Sequence, residues 1–299
     1  MTDPEVQRTP RVGVLAIVGV GLIGGSFAAA LRQAGLVDKV LGVGRRPGPL
    51  ALAKRLGLID EVATLAQAAA QADLIFLAAP VGAFPALLAG LLPTLSSQAV
   101  ITDAGSTKVD VVQAAYQSLG DRVAQFIPGH PIAGAERTGP EAADAQLYRG
   151  RNVILTPLPE NTPQDRHWLT QLWEHCGARV LNMDAAAHDT VLASVSHVPH
   201  FLASVFMAQV AAANDADLRL SLAGTGFRDF TRIAAGSPEM WRDIFLANRQ
   251  AVLSEVAQVR DVLAQAEQAL ADGDGVKLFD LLERAALARR FWGSRSGLS

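Results

Sequence analysis

The run Val12–Val18 (VGVLAIV) is apolar at nearly every position and lacks the alternation of a half-exposed strand. It predicts a strand buried on both faces of a parallel sheet. A helix follows, beginning near Leu22, most regular over residues 26–34 and ending at Gly35. The same rhythm recurs, with strands at residues 39–43, near Glu61, and at 74–78, 99–102 and 125–127, and helices at 50–56, 65–70, 84–92 and 109–119. Alternation of this kind predicts an α/β doubly wound sheet. Two more strands, at 152–156 and 179–183, flank a helix at 164–175 and complete a first domain spanning residues 1–183. From residue 184 to 299 no strand is expected. An Ala-rich helical pattern covers 185–213, a mixed segment 222–241 follows, and helices run from 242 to about 271 and over 276–291. The broad apolar stripes of this all-helical domain predict packing against a second copy, a homodimer.

Gly19, Gly21 and Gly24 at the first strand–helix junction fit G-x-G-x-x-G. The first glycine permits the turn, the second lets a pyrophosphate approach the backbone, and the third allows close helix–strand packing. The free N–H groups at Leu22 and Ile23 would then face the phosphates. This makes the first domain a Rossmann-type dinucleotide site, against the alternative of an ordinary strand-turn-helix. After the second strand, where an acidic residue would accept from the ribose of NAD, the chain has Gly44, Arg45 and Arg46. A guanidinium there suits a 2′-phosphate, so NADP is favoured and NAD possible. The competing reading is that both arginines only solvate a loop.

At 299 residues and 50% hydrophobic content, the chain can bury one large or two ordinary cores. A net charge of -3 gives no basic footprint for nucleic acid or a membrane surface. The uncharged stretch 74–92 is long enough to span a bilayer, but Pro80, Gly82 and Pro85 divide it into strand, loop and helix. The one cysteine, Cys176, reads as a buried filler in a reducing compartment. Residues 1–11 read as a loose tail rather than a signal peptide, and a cytoplasmic location is expected.

His130 lies in the loop PGHPIAGAE, stiffened by Gly129, Pro131 and Gly134. A neutral imidazole there can accept a hydroxyl proton while hydride leaves the same carbon. Ser106, in the loop after the fifth strand, can support that hydroxyl, orient the imidazole, or cap a helix. Lys108 reads as a solvated helix start. His197 and His200 in SHVPH share a helical face if Pro199 is accommodated and could meet a ligand. A metal pair is disfavoured for want of further ligands, and no metal is expected. Arg232 is the candidate anchor for an anionic substrate, with an Arg228–Asp229 surface pair as the bland alternative and Trp241 close by.

With GVGLIGGS, TDAGSTK, PGHPIAGAE, SHVPH and GFRDFTRIAAGSPEMW in that order, the chain resembles the prephenate/arogenate dehydrogenase family from Val14 to the last helices. The resemblance implies a Rossmann domain followed by a helical dimerisation domain and oxidative decarboxylation of prephenate or L-arogenate. It implies His130 as base, Ser106 as its support, Arg232 on a substrate carboxylate, and His197, His200 and Trp241 at the substrate pocket. Two departures stand out. Ala135 replaces a hydroxyl residue common in the family, and the acidic residue after the second strand is absent. Tyrosine feedback, if it operates, is expected at the active site. A two-domain 3-hydroxy acid dehydrogenase, which would use a lysine base, and a non-catalytic NADP-binding redox sensor are the alternatives.

Overall fold

The computed structural model describes residues 10–135 and 137–296. Most of the expected N-terminal tail, residues 1–9, lies outside the described residues. The chain opens with β1 (Val12–Val18), α1 (Leu22–Gln33), β2 (Val37–Val43), α2 (Pro47–Arg55), β3 (Glu61–Val62) and α3 (Leu65–Gln71). Then come β4 (Leu74–Leu77), α4 (Phe84–Leu91), β5 (Val100–Asp103), α5 (Val109–Leu119) and β6 (Phe126–Ile127). The six strands are parallel in the order β3-β2-β1-β4-β5-β6. Strand order reverses between β1 and β4, and ligands of such sheets bind in the crevice at the carboxyl ends there.

Successive β1 side chains enter two different cores, as the period of two in a strand requires. Leu15 and Ile17 join Phe27, Phe76 and Trp173 on one face, while Ala16 and Val18 join Ile75, Leu77 and Phe84 on the other. Phe27 sits 4.4 Å from Trp173 and 4.7 Å from Phe76 between ring centroids. The uncharged 74–92 stretch is therefore strand β4, a 3₁₀ turn and α4. Cys176 is buried, and burial pushes its thiol up to about 12, leaving it unreactive.

The strands at 152–156 and 179–183 do not extend this sheet, contrary to the simplest reading of a completed first domain. A separate three-stranded sheet forms from β7 (Gly129–Pro131), β8 (Asn152–Leu155) and, after α6 (Pro163–His175), β9 (Arg179–Asn182). The histidine loop is accordingly not irregular at its centre: His130 lies on β7, antiparallel to β8 and opposite Ile154. The cause is local. Asp103 Oδ1 accepts from Gly129 N at 2.9 Å, and Pro128 O accepts from Thr156 N at 2.9 Å, so the chain leaves β6 and pairs with β8.

The helical part comprises α7 (Ala185–Leu192), a π-helical turn Ala193–His197, α8 (Val198–Ala211), α9 (Ala216–Ser221), α10 (Thr225–Thr231), α11 (Pro238–Ala247), α12 (Arg249–Ala271) and α13 (Gly275–Ser296). The run Ala185–Ala211 is long and apolar enough to cross a membrane, yet it carries four buried polar side chains, His188, Asp189, His197 and His200. The helix expected from residue 242 instead breaks at Asn248, whose side chain is buried and bonded inside. The chain divides into compact units of residues 1–249 and 250–299. In the second unit α12 and α13 are joined by a turn at Gly273 (φ +66), and Leu263, Leu270, Phe279, Leu282, Phe291 and Trp292 are exposed.

Candidate active site

The turn from β1 into α1 fits a dinucleotide pyrophosphate. Gly19 has φ +99, and a Cβ there would lie 2.3 Å from Ala78 O; one on Gly24 would lie 2.4 Å from Gly19 O. These two glycines are demanded by the backbone itself. Gly21 differs, since a Cβ on it would meet nothing within 4 Å, leaving open space where the phosphates approach. Gly21 is also the N-cap of α1 and no side chain caps that end, so the first N–H groups of the helix, Leu22 and Ile23 among them, are available to an anion. Gly19 N donates to Val43 O at 2.9 Å, which sets the end of β2 beside the turn. Arg45 and Arg46 follow that strand end, exposed and without an ion pair among the described residues, and residues 41–50 carry no carboxylate.

His130 is partly buried, and its Nδ1 lies 2.9 Å from Nε2 of His188. His188 Nδ1 in turn lies 2.8 Å from Asp189 Oδ1. The Asp189 carboxylate also accepts from Lys108 N at 2.8 Å and Val109 N at 2.9 Å, tying α7 to the start of α5. Burial, then the neighbouring His188, Lys108 and His197, hold the His130 imidazole well below its ordinary range, so it is neutral at physiological pH.

Lys108 corrects the reading of a solvated helix start. It is 0% exposed and its Nζ is ion-paired with the equally buried Asp103. Burial pushes the Asp103 carboxyl up, opposed by Lys108 and by N–H bonds from Gly129 and Gly105. One carboxylate thus holds both the Ser106 loop, through Gly105 N at 2.7 Å, and the start of β7, through Gly129 N.

His197 and His200 are buried on either side of Pro199. Pro199 has no N–H to continue an α-helical ladder, and just before it Val198 N bonds Ala193 O, closing the π turn. In an unbroken α-helix, residues twelve apart lie about 120° from each other, but one residue taken up by a π turn leaves about 20°. The turn therefore brings His188 and His200 to one face. His200 stacks on Trp241 with centroids 3.5 Å apart, and His197 meets the same ring edge-on at 6.4 Å. A Cβ on Gly236 would come within 2.7 Å of Trp241 Nε1 and 3.1 Å of His200 Cε1, so residue 236 must be small. Burial lowers both histidines to about 4, for His197 against the pull of Asp189. His197 Nε2 is a buried atom without a hydrogen-bond partner, although the Ser106 carbonyl acts on the ring from nearby.

Arg232 follows α10 and lines a cleft of about 520 Å³ with Arg228, Phe227, Thr231, Met207 and Leu220. Arg228 and Asp229 form no ion pair among the described residues; the neighbouring pair is Arg242–Asp243 at 2.7 Å. The structure thus brings together His130, His197, His200 and Trp241, with Ser106 beside His197. Sequence reasoning missed His188, Asp189 and Asn248, whose partners lie far along the chain or behind the π turn, and Asp103, whose partner Lys108 reads as solvated.

These buried neutral histidines make acid a denaturant. In the unfolded chain they titrate near the usual 6.5, in the folded chain lower, so below that value the unfolded state binds more protons and stability falls with pH. Between about pH 6.5 and 4 the slope approaches about 1.4 kcal/mol per pH unit for each such histidine. Urea unfolding at several pH values in that window checks this; a midpoint that holds or rises on acidification would contradict it.

Fold, glycine turn and interior histidines define a dinucleotide-binding oxidoreductase of the Rossmann type. The nucleotide-binding domain family of prephenate dehydrogenase matches residues 27–182, and its dimerization domain family matches residues 184–284. The chain belongs to the prephenate dehydrogenase family. It is 34% identical over 284 residues to cyclohexadienyl dehydrogenase of Zymomonas mobilis, covering 92% of this chain and 94% of that one. A solved prephenate dehydrogenase from A. aeolicus, in complex with hydroxyphenyl propionate and NAD+, superposes with TM-score 0.88 at 34% identity, covering 95% of this chain and 99% of that one. Synechocystis arogenate dehydrogenase gives TM-score 0.79 at 29% identity, covering 93% and 99%.

Proposed function

We propose that this chain oxidatively decarboxylates prephenate, L-arogenate or both, with NADP preferred over NAD, and that His130 is the base. The observation that carries the reading is the neutral His130, one ring nitrogen engaged by His188 and the ring still partly open, on a strand next to the Ser106 loop. Gly19, Gly21, Leu22, Ile23 and Gly24 would hold the pyrophosphate of a nicotinamide cofactor, which when bound would supply the acceptor for the C4 hydride. His130 takes the C4 hydroxyl proton as that hydride leaves. Loss of the ring carboxylate as carbon dioxide then makes the ring aromatic, its electron pair reaching the C4 oxygen, and His130 returns the proton there.

Ser106 supports the hydroxyl, Arg232 holds a substrate carboxylate as a bidentate, charge-assisted partner, and His197, His200 and Trp241 wall the ring. The division at residues 183/184 separates cofactor from substrate and dimer functions; the ranges of the two family matches support it. The exposed apolar residues of α12 and α13 support a homodimer. The single, inert cysteine fits the cytoplasm.

A steady-state comparison of prephenate and L-arogenate, each with NADP and NAD, tests the activity through reduction of the nicotinamide. Reduction with neither substrate would leave only cofactor binding. Arg45→Ala weakens NADP more than NAD by roughly 1.5–3 kcal/mol, the contribution of a hydrogen bond to a charged group before solvent exposure reduces it. Paired titrations of both cofactors measure the difference, and equal losses would remove Arg45 from 2′-phosphate recognition.

A further inference from the structure

Asp189 sits where two hydrogen-bonded chains meet, one through its carboxylate and one through its main-chain carbonyl. The carboxylate accepts N–H bonds from Lys108 and Val109, so it also accepts from His188, which therefore carries its proton on Nδ1. With its one proton on Nδ1, His188 offers a lone pair on Nε2. His130 must donate to it from Nδ1, 2.9 Å away, and its own Nε2 is left as the acceptor. The second chain starts at Asp189 O, which accepts from Asn248 Nδ2 at 2.7 Å. A carbonyl cannot donate, so this contact orients the Asn248 amide, and its nitrogen faces His197 Nδ1 at 3.1 Å. His197 Nδ1 is thereby an acceptor, and its proton resides on Nε2, the buried atom with no hydrogen-bond partner.

We propose that Asp189 is the positioning residue that fixes opposite tautomers on the two histidines, making His130 a proton acceptor and His197 a proton donor at one site. The assignment rests on His130 being the base. When His130 Nε2 takes the hydroxyl proton, its Nδ1–H stays donated to His188. The new positive charge is then stabilised through His188 by the Asp189 carboxylate, the logic of a base oriented by a third group with one imidazole interposed. His197 directs its proton toward the Ser106 loop, whose carbonyl acts on the ring. The charged and titratable groups around His130 are His188 and Asp189 on α7, Lys108 with its partner Asp103, and His197 on the π turn.

The test is Asp189→Asn, close to the native side chain in shape. With the amide nitrogen in place of Oδ1, the variant keeps the Val109 N–H bond on its oxygen, gives up the Lys108 N–H bond, and donates to His188 Nδ1. That reverses the chain: His188 carries its proton on Nε2, donates to His130 Nδ1, and forces the His130 proton onto Nε2. Nitrogen-15 spectra of histidine-labelled enzyme read this directly. Wild type is expected to show His130 protonated on Nδ1 and His197 on Nε2. Asp189→Asn moves the His130 proton to Nε2 and lowers kcat by about 10²–10⁴-fold, the span of general-base catalysis, with cofactor affinity unchanged. His188→Phe, which keeps a ring but removes the acceptor, serves if the first variant folds poorly; it is expected to leave His130 in mixed tautomers with reduced kcat. Asn248→Ala is expected to release the His197 tautomer and raise KM while His130 stays on Nδ1–H.

A wild-type His130 spectrum and kcat in both Asp189→Asn and His188→Phe would overturn the assignment. His130→Asn, assayed in parallel, separates the two levels. If it is inactive while Asp189→Asn is normal, only the role of Asp189 falls. If it turns over normally, the base reading falls with the catalytic part of the proposal, and the tautomers alone, of His130 in Asp189→Asn and of His197 in Asn248→Ala, decide whether the two rings are set from Asp189.

Discussion

Lys108→Met lowers the unfolding free energy by about 3–5 kcal/mol, the usual cost of removing one partner from a buried ion pair. Methionine has nearly the length of the lysine stem, so little volume is lost; what is lost is the ammonium facing Asp103, a fully buried carboxylate. Two backbone N–H groups, of Gly105 and Gly129, still reach that carboxylate, but no counter-charge does. The deficit relative to wild type narrows on acidification, because without the ammonium the buried Asp103 titrates at higher pH and can stay buried once protonated. Activity falls as well, since the same carboxylate holds the Ser106 loop and the start of β7. Chemical denaturation of both proteins at neutral and mildly acidic pH measures the effect. A variant as stable as wild type would mean that the pair contributes nothing net.

This lysine also marks the limit of what was legible in the chain. The β1 run and its glycines were readable because a doubly covered parallel strand has no polar positions, and because two of the three glycines answer to backbone contacts of the turn itself. The doubly wound parallel sheet followed from alternation. Lys108 was misread because a lysine beginning a helix is ordinarily solvated, and its partner Asp103 becomes visible as one only when the β5 end and the loop after it are folded. The β7 to β9 sheet was hidden for a related reason: strands of three or four residues have too little pattern to announce a partner, and the contacts that divert the chain at Pro128 and Gly129 are tertiary.

The substrate side was half legible. His130, His197 and His200 stood out by residue type and local stiffness. His188 did not, because it lies twelve residues before His200 and only a π turn ahead of Pro199 brings the two to one face. Asn248 fell in the middle of an apparently continuous helix that in fact breaks to bury its amide.

The second large effect is at His130. Its replacement by asparagine removes the proposed acceptor of the hydroxyl proton and is expected to lower kcat by about 10²–10⁴-fold. Asparagine can still donate an amide N–H toward His188 Nε2, so the relay behind it and the β7–β8 pairing are retained, and the glycine turn that receives the cofactor lies on other elements. The loss is therefore in the chemical step rather than in folding or cofactor affinity.

Single-turnover reduction of the nicotinamide by His130→Asn, at saturating substrate and cofactor with binding of each verified by titration, isolates that step. Complexes that form as in wild type but reduce the cofactor orders of magnitude more slowly are the predicted result. A wild-type rate in that variant would contradict an imidazole base at position 130.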